Sequence, residues 1–271
     1  MKNFKLMFST MTILASGYAL SQTSALYVTA GQNGDYANFI LQGGVATDFQ
    51  QAVGSENPIA VSDGSVRTAD SGQYPSDPGG AQYTLGFTDT GTRYNAFNYD
   101  PSWNFLFYDG TSDGTSNYVV NYGNLGGVYQ TGLDWSNPTL MFNLGSLATN
   151  LGITYDTTNN SLWISNFSGN LIQDYSLSGT LLSSFASNTS SMDCLALDPA
   201  DNTLWFSATT TPGTFYQYSK SGTFLQSITY QNMTSFSTLG AEFDTQAVPE
   251  PAPLILIGLG LLGLVISRRK A

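Results

Sequence analysis

The chain has 271 residues, 41% of them hydrophobic and only 10% charged, with a formal net charge of −11. It contains no histidine and a single cysteine. These counts exclude a histidine-based catalytic triad, histidine metal ligation and an internal disulfide, and the acidic balance is opposite to what nucleic-acid binding needs.

The chain opens MKNFKLMFSTMTILASGYALSQTSA. Lys2 and Lys5 give a positive start, Leu6 to Leu20 a weakly apolar segment, and Thr23-Ser24-Ala25 small residues before a cut at Ala25/Leu26. This is the pattern of a secretory signal peptide over residues 1–25, which is excluded from fold reasoning. Cys194 lies far from it, so a lipoprotein anchor is not available, and its alternation with Leu195 and Leu197 reads as a small buried hydrophobe.

Residues 26–247 are expected to form one all-β domain. Of the chain's ionisable residues, 18 acids but only three bases (Arg67, Arg93 and Lys220) fall here. In chain order, LYVTA (Leu26–Ala30) starts without a preceding strand, and NFILQGGVATDF (Asn38–Phe49) supplies a hairpin with Phe39–x3–Gly43. A loose unit covers Pro58 to Arg93, with IAVSDGSVRTA and then Phe87–x3–Gly91. AFNYDPSWNFLFYDG (Ala96–Gly110) reads as a third unit, placing Asp100 and Phe107 where later units have Asp156 and Trp163, with Tyr122–x3–Gly126 downstream.

Two later segments align closely: LGITYDTTNNSLWISN (Leu151–Asn166) with CLALDPADNTLWFSA (Cys194–Ala208), then DYSLSGTLLSSF (Asp174–Phe185) with QYSKSGTFLQSI (Gln217–Ile228). Each reads as a strand, an Asx-type turn, a Trp-bearing strand, a third strand, an S-G-T hairpin and a fourth strand. Four short strands in about 42–46 residues is the size of a β-propeller blade. LGAEFD (Leu239–Asp244) repeats LGITYD with no Trp strand after it, so the two ends of the domain are expected to complete one blade, the C-terminal piece innermost. Asp63, Asp100, Asp156, Asp198 and Asp244 then mark five four-stranded blades, with four blades and a long insertion as the alternative.

The D-P-x-x-N-x-L-W pattern (Asp198–Trp205) resembles repeats of NHL-type and lactonase-like propellers, and transfers no catalytic residue. The repeated aspartates read as turn residues bonding backbone two positions on, and Trp163 and Trp205 as interblade packing. DGTSDGTSN (Asp109–Asn117) reads as a hairpin loop whose Asp109 and Asp113 offer oxygens to calcium. A glycosidase needs a positioned carboxylate pair, and the domain holds only two glutamates, Glu56 and Glu242, with no pair picked out by the sequence.

The chain ends VPEPAPLILIGLGLLGLVISRRKA. The apolar run Pro253 to Ile266 is about 21 Å as a helix, short of the roughly 30 Å hydrocarbon core, so a span over residues 253–267 requires bilayer thinning or snorkelling cations. Val248, Pro249, Glu250 and Pro251, the Leu/Gly-rich span and Arg268, Arg269 and Lys270 together resemble a PEP-CTERM sorting signal over residues 248–271. The resemblance implies export through the secretion machinery, transient inner-membrane anchoring and processing by an exosortase in an exopolysaccharide-producing Gram-negative bacterium. The expected function is a non-catalytic cell-surface or extracellular-matrix binding or scaffold module, with exopolysaccharide as a partner. The competing reading is a calcium-dependent hydrolase or lactonase of propeller type.

Overall fold

A computed structural model of the chain describes residues 24–70, 79–94, 106–122, 126–145 and 149–244. They form five four-stranded antiparallel sheets. Blade 1 is assembled from both ends of the domain: β1 (Leu26–Gln32), β2 (Asp35–Gln42) and β3 (Val45–Gln51), with β20 (Ser237–Phe243) as the innermost strand. Blade 2 holds β4 (Glu56–Ser62), β5 (Ser65–Asp70), β6 (Gly80–Thr84) and β7 (Asp89–Tyr94). Blade 3 holds β8 (Phe107–Ser112), β9 (Asn117–Asn121), β10 (Gly127–Thr131) and β11 (Thr139–Asn143). Blade 4 holds β12 (Asn150–Asp156), β13 (Ser161–Asn166), β14 (Leu171–Ser176) and β15 (Leu181–Ala186). Blade 5 holds β16 (Ala196–Asp198), β17 (Thr203–Ser207), β18 (Thr214–Ser219) and β19 (Phe224–Thr229). Strands β20, β4, β8, β12 and β16 meet around the axis, making a five-bladed propeller.

The ring closes as the two terminal fragments suggest. Strand β1 pairs antiparallel with β20, Leu26 opposite Phe243 and Val28 opposite Ala241. The hairpins that hold register are residue-specific. Asn33-Gly34 and Asp63-Gly64 join β1 to β2 and β4 to β5 with positive φ at both positions (52° and 91°, 51° and 70°), the geometry whose twist matches antiparallel strands. In blades 4 and 5 the Asx turn recurs: Asp156 Oδ1 accepts the N–H of Thr158 at 2.9 Å, and Asp198 Oδ1 that of Ala200 at 2.9 Å. Asn160 and Asn202 then take the left-handed conformation (φ 51° and 61°), which Asn tolerates better than most residues.

Among the described residues the apolar interior is divided into five clusters, one between each pair of neighbouring blades. This follows from the pleat: a blade has two faces, each covered by a neighbour, so both alternating sets of side chains are buried. Trp163 lies between blades 4 and 5 and Trp205 between blades 5 and 1, each 1% exposed. A second contact links blades at the S-G-T hairpins. Gly179 and Gly222 both have φ 84°, and a Cβ on either would stand 2.7 Å from Phe142 of β11 or Phe185 of β15. Only glycine supplies the left-handed turn and leaves room for the ring of the preceding blade.

Blade 3 corrects the expected register. Phe107 begins the innermost strand β8, not a second strand equivalent to that of Trp163, and Tyr122 and Gly126 flank the β9–β10 connection instead of the outer hairpin. Asp100 lies outside the described residues. DGTSDGTSN is not one loop either: Asp109 to Ser112 belong to β8, Asn117 opens β9, and only Asp113–Ser116 turn. No helix among the described residues is long and apolar enough to cross a membrane, and the tail 248–271 lies outside them.

Candidate functional site

Buried polar groups of several blades meet at the axis. Asp109, on β8, is fully buried. Its Oδ2 accepts the N–H of Ile153 at 3.1 Å and of Leu195 at 2.9 Å, and its Oδ1 that of Ala241 at 3.0 Å and of Gly110 at 3.0 Å. Ile153, Leu195 and Ala241 each stand three residues before a blade aspartate (Asp156, Asp198, Asp244), so equivalent amides of three blades converge on one carboxyl. Beside it, Thr154 Oγ1 donates to Glu242 at 3.2 Å and accepts the N–H of Leu197 at 3.0 Å. Thr111 Oγ1 accepts the N–H of Tyr155 at 2.9 Å, and Thr29 Oγ1 donates to the Asn57 carbonyl at 2.6 Å. Burial pushes Asp109 and Glu242 well up from the usual carboxylate range, with the amides and threonine hydroxyls pulling back.

The structure does not bring Asp109 and Asp113 to a common ligand position. Asp113 caps its own turn: Oδ1 accepts the N–H groups of Thr115 and Ser116 at 2.7 Å each, and Oδ2 the Tyr118 hydroxyl at 2.7 Å. Among the described residues no three His, Cys, Asp or Glu side chains form a metal-sized group. Asp156 carries an ion pair with Lys220 at 2.6 Å and accepts from Trp163 Nε1 at 3.2 Å. Burial works to raise its pKa, yet these two partners leave it lowered. Asp198 accepts from Ser24 at 2.7 Å, Asp63 sits in the β4–β5 turn, and Asp244 follows β20.

A surface groove of about 450 Å³ runs between β3 of blade 1 and the β6–β7 hairpin of blade 2. Asp48, Phe49, Val53, Tyr83, Phe87 and Asp89 line it. Phe87 has φ 51°, an uncommon conformation for an aromatic residue, held by a turn in which Thr84 Oγ1 accepts the N–H groups of Gly86 and Thr88. From there its ring meets Tyr83 at 5.4 Å, Tyr27 at 5.6 Å and Phe49 at 6.0 Å. Beneath, the Tyr83 hydroxyl donates to Glu56 Oε1 at 2.5 Å, Val53 N–H to the same oxygen at 3.1 Å, and Asn38 Nδ2 to Oε2 at 2.9 Å. Burial raises Glu56, and these donors oppose it. On the rim, Arg93 grips Asp89 through two contacts of 2.8 and 2.6 Å, and that hydrogen-bonded guanidinium holds the Asp89 pKa down at about 2. The groove combines a largely buried aromatic base with the carboxylates of Asp48 and Asp89. Sequence reasoning missed it. The Phe87–x3–Gly91 step marked the hairpin, but nothing in the sequence paired that hairpin with Asp48 and Phe49.

Several buried acids stand outside both sites, Asp193 among them. Asp193 is 4% exposed, its Oδ1 has no hydrogen-bond partner among the described residues, and burial raises its pKa to about 8. A carboxyl raised on folding keeps its proton longer in the folded chain. The stability it confers is whole below about pH 4 and is lost as pH rises through the folded value. Asp109 and Glu242 act in the same direction, while Asp156 and Asp134, both lowered, contribute above about pH 4 and lose their contribution on acidification. The melting temperature is therefore expected to peak in mild acid and to fall by roughly 10 °C between pH 5 and pH 9. In Asp193→Asn that fall shrinks; a pH series of thermal melts on both proteins checks it.

The fold and tail define a class: an all-β five-bladed propeller carried by an exported chain with a sorting tail. A family profile for the PEP-CTERM protein-sorting motif matches residues 247–270. The motif implies processing by an exosortase and membrane anchoring through the C-terminal tail. No curated protein matches the chain in sequence. Among solved structures, a chain of a nidogen/laminin complex is similar with a TM-score of 0.53 at 11% identity, the match covering 82% of this chain and 99% of that one. Virginiamycin B lyase from Staphylococcus aureus gives a TM-score of 0.45 at 15% identity, over 73% of this chain and 64% of the lyase. Myxococcus xanthus glutaminyl cyclase gives 0.44 at 12%, over 70% and 71%. The first likeness shows the fold alone.

Proposed function

We propose that this protein is a non-catalytic binding or scaffold module of the cell surface or extracellular matrix. It is exported by its leader, held in the inner membrane by residues 253–267 with the propeller on the periplasmic side, and processed by an exosortase at Val248–Pro251, with Arg268, Arg269 and Lys270 on the cytoplasmic side. The supporting observation is the division of labour among carboxyls. Asp109 and Glu242 at the axis are engaged by backbone amides and threonine hydroxyls, whereas Asp48 and Asp89 line the aromatic groove between blades 1 and 2. With 18 acids against three bases, the domain repels polyanions, so the ligand that fits is a neutral polysaccharide of the matrix.

The test is binding of the exported protein to purified exopolysaccharide by calorimetry, with and without calcium. Val53, 41% exposed on the groove wall, is the position to change. Val53→Arg is expected to weaken binding at least about tenfold while leaving the melting temperature within about 2 °C, as for surface substitutions generally. Calcium-dependent release of product from a glycan or lactone would replace this reading with the hydrolase or lactonase one.

A further inference from the structure

The domain takes in chain that lies upstream of its first strand. Ser24 is 5% exposed, and its hydroxyl donates to Asp198 Oδ1 at 2.7 Å, linking the entry of blade 1 to the end of β16 in blade 5. Ala25 packs against the apolar cluster between blades 1 and 2. Leu26 is fully buried in the cluster between blades 5 and 1.

The repeat shows what Ser24 does there. Asp156 of blade 4 receives Lys220 at 2.6 Å from the β18–β19 hairpin of the next blade. Asp198 is the counterpart of Asp156 in blade 5, and the matching hairpin of its next blade, β2–β3 of blade 1, is Gly43-Gly44. Two glycines have no side chain to send across, and Ser24 makes the interblade contact in their place. The other donor to Asp198 among the described residues is the Ala200 N–H at 2.9 Å. Burial raises the Asp198 pKa, and the Ser24 hydroxyl pulls it back.

A leader cut at Ala25/Leu26 would discard this contact. It would also place the new α-ammonium on a residue with no exposure, where a charged amine is disfavoured for want of water. Upstream, Ala19-Leu20-Ser21 offers the small–x–small pattern of a leader cleavage site at the end of the apolar segment. We propose that the leader is cut after Ser21, so that the mature chain begins at Gln22 and keeps Ser24 as a latch between blades 1 and 5. The inference rests on the export reading above and adds a processing site to it.

Mass spectrometry of the N-terminal peptide of the native exported protein tests it, and the expected first residue is Gln22. Ser21→Tyr puts a bulky residue where the cut needs a small one, and is expected to raise uncut precursor at least fivefold. Ser24→Ala leaves that cleavage pattern intact and is expected to lower the melting temperature of the exported protein by roughly 3–6 °C, through loss of a donor to a buried carboxyl. Were the chain cut at Ala25/Leu26, the mature forms of Ser24→Ala and wild type would be identical and their melts would coincide. A first residue of Leu26, coincident melts, or normal processing of Ser21→Tyr would overturn the proposal and leave the export reading standing. A chain that still carries Met1 in every fraction would overturn both.

Discussion

Asp109→Ala is expected to be among the most damaging single substitutions in this propeller, lowering its stability by about 4 kcal/mol or more. The reason is the number of groups that lose a partner together. Four amides, from Gly110, Ile153, Leu195 and Ala241, donate to this carboxyl in a region closed to water. A buried donor left without an acceptor costs about 1–3 kcal/mol, and alanine leaves all four in that state. For a domain of this size the melting temperature would fall by roughly 10–15 °C. Asp109→Asn keeps the volume and one acceptor oxygen but aims amide hydrogens at amide donors, so it should fall between alanine and wild type. Asp35→Ala, on the exposed β1–β2 hairpin, should stay within about 0.5 kcal/mol. Urea denaturation of the four proteins measures the series. An Asp109→Ala melt within about 3 °C of wild type would mean that the axial carboxyl does not hold the blades together.

The sequence carried no mark of that role, and the reason is physical. The repeats display what each blade does for itself: the Asx turn, the Trp strand, the S-G-T hairpin. These are local devices, so Asp156, Asp198, Gly179 and Gly222 could be placed by spacing alone. Asp109 is used across the ring, bonding amides 44, 86 and 132 positions away, and it breaks the repeat instead of following it. Blade 3 departs from the expected register for a related reason. D-P-x-x-N at Asp100–Asn104 imitates the turn of Asp198–Asn202, while the true inner strand, FYDGTS, has given up the apolar pattern of its counterparts to hold the axial acid. The groove between blades 1 and 2 was illegible because it belongs to the surface between two irregular units. Where blades resemble each other, neighbours and register can be read off. Where they differ, only the closed ring shows what the difference does.

The closing blade supplies the second large effect. A chain that stops at Phe236 is expected to show no cooperative unfolding transition, whereas one that stops at Ala247 and lacks only the tail should melt normally. The first truncation removes β20, the strand that pairs with β1 from Leu26–Phe243 to Gly31–Ser237. It also removes Ala241 and Phe243 from the cluster between blades 5 and 1, and one of the four amides on Asp109. β1 would then be left with an open inner edge at the axis, where water reaches Thr29 and the Asn57 carbonyl it now bonds. Both consequences follow from a single cause: each blade buries its faces only against two neighbours, so an incomplete blade exposes two interfaces instead of one. A peptide covering Ser237–Phe243, added in trans, should restore part of the transition, since the strand has only to fill an existing edge and no new fold is needed. If the chain ending at Phe236 melts within about 5 °C of the one ending at Ala247, the ring is held by four blades and the terminal strand is decoration. That result would revive the four-bladed alternative and detach the axial network from the stability of the whole.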